Sequence, residues 1–321
     1  MGPEIKIDIY SVTLEYADKN DTYPKYKELF SHFKNESISN NFHAFIQGFV
    51  NSIGSFTNNA KNTKSIKLNN DIAINERKHI ITGTFYGGST GLGGNLHIDN
   101  KTTEYNAKAI NSKNLFYLIW LHPSSNKGIV FVQGYSSFSA GNDFMFQFQK
   151  FIKDKDLNFS LVVNDFAPVS VIEKYLKKGT VKKVRLKKLK VSSDKFDKLD
   201  LTYESGDSLS IEVNLTGNVL KRIISKWKIK KKGYFEIPSE LQDIGFDGDT
   251  STSITFKDSN GKTTTITSKN NFKASPNFYI PEGVVPRNAI DNLPDLKKLK
   301  DYCVGYLNEI KDEIFPVDDD E

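Results

Sequence analysis

Asn114–Leu121 reads NLFYLIWL, and Gly128–Gln133 reads GIVFVQ. They are the two most apolar runs of the chain, and both are rich in β-branched and aromatic residues. Pro123 to Lys127, between them, are turn formers. Short apolar runs of about 4–8 residues bounded by turn signals mark strands buried on both faces. The pair therefore predicts a buried hairpin at the centre of a sheet. The rest of the chain must then supply flanking strands and the helices that cover them.

On the N-terminal side, Ile5, Ile7 and Ile9 alternate with Lys6, Asp8 and Tyr10, the pattern of a half-buried strand. From Pro24 the spacing turns helical through Tyr26, Leu29, Phe30 and Phe33. A second helical run carries Phe42, Phe45, Ile46, Phe49 and Val50 and ends near Gly54. Aromatics at i, i+3 and i+4 form a core-facing stripe. Ile66 to Tyr86 reads as strands. Gly87 to Asn95 (GGSTGLGGN) lacks the Lys-Ser/Thr pair and following helix of a phosphate loop, so it reads as a glycine-rich hairpin connection into a returning strand.

On the C-terminal side, Phe144, Phe148, Phe151 and Ile152 predict a helix, and Leu157 to Val163 a strand. Val169 to Leu176 reads as a short helix closed by Gly179. Ser253–Lys257 and Thr263–Ser268 form a hairpin whose turn is Asn260-Gly261. Asn292 to Phe315 is the last helix. Its stripe of Leu296, Leu299, Cys303, Tyr306, Ile310 and Ile314 is wide enough to pack inward or against a second copy.

A chain of 321 residues suits two domains of about 150 each. The expected class is α+β. A larger domain with a mixed sheet and helices takes residues 1–191 and 281–321, and a smaller β-rich domain, 192–280, is inserted between them. An apolar fraction of 38% is enough to build a core in each. No apolar run approaches the roughly 20 residues that span a bilayer. The N-terminus, MGPEIKIDIYS, has no basic region followed by an apolar core, so no signal peptide is expected. One cysteine, Cys303, excludes an internal disulfide and a Cys-based zinc cluster. These features suggest a cytoplasmic protein with no membrane partner.

Charge is the clearest functional signal. Lys174–Lys232 holds eighteen Lys and Arg against six Asp and Glu, a net of +12 in a chain of net +5, so the remainder sums to −7. Such repulsion is relieved opposite a polyanion, and nucleic acid is the first candidate. In Thr180–Ser192, Val184 and Leu186 alternate with Arg185 and Lys187, which puts Lys183, Arg185 and Lys187 on one outward face. A bulge is expected at Lys187–Lys188, where the alternation shifts. Val219 to Ile229 reads as a helix with Val219, Ile223, Ile224 and Trp227 on its apolar face. The candidate contacts are Lys178, Lys182, Lys183, Arg185, Lys187, Lys188 and Lys190 around the strand. On and after the helix they are Lys221, Arg222, Lys226, Lys228, Lys230, Lys231 and Lys232. Lys outnumbers Arg sixteen to two in the segment, which suits phosphate contact rather than the reading of guanine edges. A solvated lysine-rich face and a protein-only interaction module are the competing readings.

No reaction is named by a motif. His32, His43, His79, His97 and His122 are scattered without HxxxH or HxH spacing, and no Ser-His-Asp set stands out. Cys303 lies mid-helix among apolar neighbours. Glu76-Arg77-Lys78, with Asp71 upstream, has the ExK spacing used to hold Mg²⁺ and steer water, which keeps a nuclease or toxin effector as the alternative. Asp207 and Glu212 flank a strand, but Asn214 stands where a lysine is wanted. Asp243, Asp247 and Asp249 lack the closing Glu of a calcium loop. No catalytic residue, metal ligand or cofactor is assigned.

The order of features resembles the RexA-like phage-exclusion proteins of lambdoid prophages. It rests on a mixed α/β first part, GTVKKVRLKKLK, VLKRIISKWK, ITFKDSNGKTTTI and a closing amphipathic helix through Tyr302, Cys303 and Tyr306. The chain is also similar, more loosely, to accessory DNA-binding subunits of other antiphage systems. The resemblance covers the second half of the chain. It implies sequence-tolerant binding of duplex DNA by a homodimer in the cytoplasm, a role in defence against phage, and a second defence-system protein as a possible partner.

Overall fold

A computed structural model describes residues 3–18, 23–34, 38, 40–59, 63–91, 93–98, 101–166, 168, 180–188, 211–216, 229–230, 234–235, 251–257, 263–268, 278–281 and 283–314. The fold is α+β. The chain divides into two compact units, one of Met1–Asn164 with Asn277–Glu321 and one of Asp165–Pro276.

The larger unit is built on the apolar hairpin. β8 (Asn111–Leu121) pairs antiparallel with β9 (Lys127–Tyr135), Tyr117 opposite Val132 and Leu121 opposite Gly128. Every residue from Leu115 to Leu121 is buried. Each large apolar side chain there contributes about 1.5–3 kcal/mol of transfer free energy. Outward from the hairpin lie β1 (Ile5–Tyr16) and β10 (Phe159–Asp165) on one side. On the other lie β5 (Ile80–Ser89), β3 (Lys64–Leu68) and β2 (Thr57–Asn58), giving the order β10-β1-β9-β8-β5-β3-β2. β17 (Phe278–Tyr279) adds to β1, and β4 (Ala73–Asn75) to β5.

Helices cover both faces of this sheet. On the Tyr117 face sit α1 (Tyr26–Ser31), α2 (Asn41–Ser52) and α3 (Gly141–Lys153). Asn40 caps α2 by accepting from the Phe42 and His43 amides, which starts that helix where its aromatic stripe begins. Phe144 of α3 lies 5.1 Å from Tyr117, ring centre to ring centre. Phe131 points to the opposite face, where Tyr306 of α4 (Leu296–Ile314) meets it at 6.1 Å and stacks on Phe278 at 4.6 Å. Leu299, Cys303, Tyr306, Leu307, Ile310 and Ile314 of α4 are buried, whereas Leu296 is exposed. The stripe offered to a second copy is thus covered within its own unit.

Two local expectations change. Gly87 and Gly88 belong to β5 rather than to a loop, opposite Lys113 and Ser112. A Cβ on Gly87 would stand 2.8 Å from that of Ala140, so glycine is needed there for close packing. The strand after the glycines, β6 (Gly94–Ile98), does not return along β5. It pairs with β7 (Lys101–Tyr105) in a ribbon of its own.

The smaller unit contains β11 (Thr180–Lys188), β12 (Ile211–Leu215), β15 (Ser251–Lys257) and β16 (Thr263–Ser268) in the order β12-β11-β15-β16. A ribbon of β13 (Ile229–Lys230) and β14 (Tyr234–Phe235) accompanies it. The boundaries fall at 164/165 and 276/277 rather than at 191/192 and 280/281. The cause is pairing: the basic strand, assigned from sequence to the larger domain, is laddered to β12 and β15. The helices read at 169–176 and 238–244 lie outside the described residues. Among the described residues, no helix is long and apolar enough to cross a membrane.

Candidate nucleic-acid interface

β11 is two-faced because its sequence alternates. Val184 and Leu186 are 0% exposed, and Val184 lies opposite both Ile254, also fully buried, and Leu215. The same pleat turns Lys183 and Arg185 to solvent, with Lys187 half-buried beside them. Successive outward residues on a strand stand about 6.6–6.8 Å apart, which makes these three a short, regular row of cations.

The irregularity lies at the other end of the strand from the one expected. The ladder with β12 runs regularly through Lys187 opposite Glu212 and Lys188 opposite Ile211. The register shifts instead between Val181 and Lys183, against Phe256 and Thr255 of β15. The extra residue is Lys182, and both Lys182 and Lys183 are exposed. A bulge that doubles a residue on one strand adds a fourth cation to the row.

Three features of this face were not singled out as contacts in the sequence. Glu212, considered there as a metal carboxylate, pairs with Arg185 and accepts a 3.1 Å hydrogen bond from Asn214 Nδ2. The Arg185 hydrogen bond, followed by that from Asn214, holds the Glu212 carboxyl below its ordinary range. On the other flank Ser253 stands opposite Arg185 and Thr255 opposite Lys183, both half-buried, and Lys257 follows, exposed. The signal for these was the alternation Ser253, Thr255, Lys257 around buried Ile254. The face therefore carries cations with hydroxyl side chains beside them, residue types that recur in phosphate contacts.

The remaining candidates divide. Lys188 is in the ladder. Lys230 is in β13, opposite Tyr234, and Ile229 is a strand residue rather than the end of a helix. Lys178, Lys190, Lys221, Arg222, Lys226, Lys228, Lys231 and Lys232 lie outside the described residues, as do Asp207, Asp243, Asp247 and Asp249.

The nuclease constellation does not assemble as the spacing suggested. Glu76–Lys78 is a 3-10 turn rather than the start of a strand, so Glu76 and Lys78 do not share a pleated face. Asp71 is held by Thr84, accepting from its amide at 3.1 Å and from its hydroxyl at 2.6 Å. Among the described residues no three His, Cys, Asp or Glu side chains gather as metal ligands. Cys303 is buried, and burial pushes its thiol up, away from the reactive thiolate.

The histidines are less scattered in space than in sequence. His79 and His122 lie 5.3 Å apart, edge to face, joined because β5 and β8 are neighbours. His122 Nδ1 accepts from the Ser124 amide at 3.3 Å. Burial lowers the affinity of both rings for a proton, as does each ring's neighbour: His122 for His79, and Lys311 for His122.

Comparison with models of known protein families and with curated proteins gave no match to this chain.

Proposed function

We propose that this chain binds the phosphate backbone of duplex DNA, with little sequence preference, through the outer face of β11. It acts there as a non-enzymatic binding component of antiphage defence. The observation that carries the reading is the sharing of one solvent face by Lys182, Lys183, Arg185 and Lys187 while Val184 and Leu186 are fully buried behind them. Folding alone needs only the buried half of that pattern. Single-strand binders stack bases on aromatic rings, and the described residues of this face offer cations and hydroxyls instead. The defence role and the homodimer rest on the resemblance to phage-exclusion proteins.

Salt dependence tests the binding. Four phosphate contacts give a slope of about −3.6 in log affinity against log salt, a loss of about a hundredfold between 50 and 200 mM. Replacing Lys183, Arg185 and Lys187 with Glu nearly abolishes binding to duplexes of any sequence. The control, charge reversal at exposed Lys25, Lys27 and Lys34 of the larger unit, leaves most of it. Equal loss from both variants would reduce the effect to bulk charge. No loss from either would overturn the reading. Unchanged phage plating on cells carrying the triple variant, against cells carrying the parent chain, would remove the defence role alone.

A further inference from the structure

The larger unit holds a cleft of about 840 Å³ between α4 and the turn that joins β4 to β5. That volume is in the range of small-molecule sites. Its apolar lining includes Ile74 of β4 and buried Ile80 of β5. Its lining includes Arg77 and Lys78 from the turn and Lys300 from α4, three cations supplied by two elements. Glu76 and Asp301 complete the charged lining. None of these five charged side chains has an ion-pair or hydrogen-bond partner among the described residues.

A second, independent observation is Gly305. It lies inside α4, in the wall of the cleft, where glycine costs helix stability relative to any ordinary residue. Gly305 is exposed. Here a Cβ would meet nothing within 4 Å. What the missing side chain does is leave the wall open between Asp301 and Asn308, one turn to either side.

We propose that this cleft binds an organic phosphate of about mononucleotide size. A phosphate monoester carries close to two negative charges and suits the three cations, with the Arg77 fork able to take two oxygens at once. The planar or apolar body of the ligand covers Ile74 and Ile80. Glu76 and Asp301, which accept hydrogen bonds only, take hydroxyl or amino groups of that body. The site shares no residue with the face of β11, so either proposal can fail without the other.

The test is calorimetric titration of the intact chain with AMP, inorganic phosphate and adenosine. AMP binds at least about tenfold more tightly than either fragment, because only AMP engages the cations and the apolar lining together. Gly305→Leu fills the opening and weakens AMP by about tenfold or more. It melts no lower than the parent, since the space is empty and Leu is the better helix former. Arg77→Ala with Lys78→Ala, both exposed, weakens AMP and leaves adenosine unchanged. If Gly305→Leu melts lower, that double variant decides by itself. The proposal is overturned if AMP does not bind, or if inorganic phosphate binds as well as AMP, the mark of a free-phosphate site. It is equally overturned if AMP affinity survives the Arg77/Lys78 double variant or a normally folded Gly305→Leu.

Discussion

Glu212 stands opposite Lys187 in the β11–β12 ladder, yet its carboxylate goes to Arg185, two residues along, with Nη2 2.5 Å from Oε2. This is the diagonal cross-strand contact that long side chains reach. It places one negative charge inside the row of cations and occupies the only arginine of that row.

Glu212→Gln removes that charge and releases Arg185 without changing shape. The expected outcome is tighter binding to duplex DNA, about three- to tenfold at low salt, shrinking as salt screens the face. Fold stability stays close to that of the parent, because both partners are solvent-accessible. Filter binding at two salt concentrations measures it. Weaker binding by the Gln variant would mean that Glu212 holds Arg185 in the contact geometry, and the picture of a blocking carboxylate would be given up.

The centre of the fold was legible because β8 and β9 are buried on both faces, and such strands need continuous apolar runs. The helices were legible from aromatics at helical spacing. The site was legible in part. Alternation in β11 showed which residues face out, but not which end of the strand carries the bulge. That depends on the register against β15, a non-local pairing. The partnership of Arg185 with Glu212 spans 27 residues and is likewise set by strand order. The same holds for His79 and His122, which no spacing rule connects. The helical reading of Ile229 failed because its pairing with Phe235 overrides local propensity.

α2 and α3 share a buried aromatic layer on the Tyr117 side of the sheet. Phe49 is fully buried, with Phe148 at 4.7 Å, Phe151 at 5.5 Å and Phe144 at 5.8 Å between ring centres. Phe49→Ala costs about 3–5 kcal/mol. Phe146, on the exposed side of α3, costs less than about 0.5 kcal/mol when cut to Ala. Urea unfolding compares the two. Equal midpoints would show that the layer is not packed as described.

The His79–His122 pair makes stability depend on pH. Both rings take a proton less readily in the folded chain than their ordinary value of 6.5. The unfolded chain therefore binds protons first as pH falls, and stability is lost downward from about pH 6.5. His79 faces Phe42 and His122, while His122 also meets Trp120 and the charge of Lys311. None of these partners is an acid that would welcome an imidazolium. His79→Gln with His122→Asn flattens the melting temperature between pH 7.5 and 5.5, the Asn oxygen standing in for Nδ1 as acceptor for the Ser124 amide. A parent chain whose melting temperature rises on acidification over that interval would refute the sign.

Gly83 and Tyr117 face each other across β5 and β8, and the tyrosine ring lies over the glycine. A Cβ on Gly83 would come within 2.6 Å of Tyr117 Oη and 2.8 Å of Cζ. The ring is fully buried, and its hydroxyl has no hydrogen-bond partner among the described residues. Burial, aided by the charge of Asp71, pushes that phenol up, so it stays protonated and its proton is unsatisfied. Tyr117→Phe deletes the unsatisfied group and keeps the ring that covers Gly83. It is expected to raise stability by about 1 kcal/mol. Gly83→Ala drives a methyl against the ring and costs about 2 kcal/mol or more. In the Tyr117→Phe background the clash with Oη is gone while that with Cζ persists, so the alanine costs less there by about 1 kcal/mol. The four chains form a double-mutant cycle readable by chemical denaturation. If the two changes add without coupling, the hydroxyl does not stand over Gly83, and the register of β5 on β8 is not the one described.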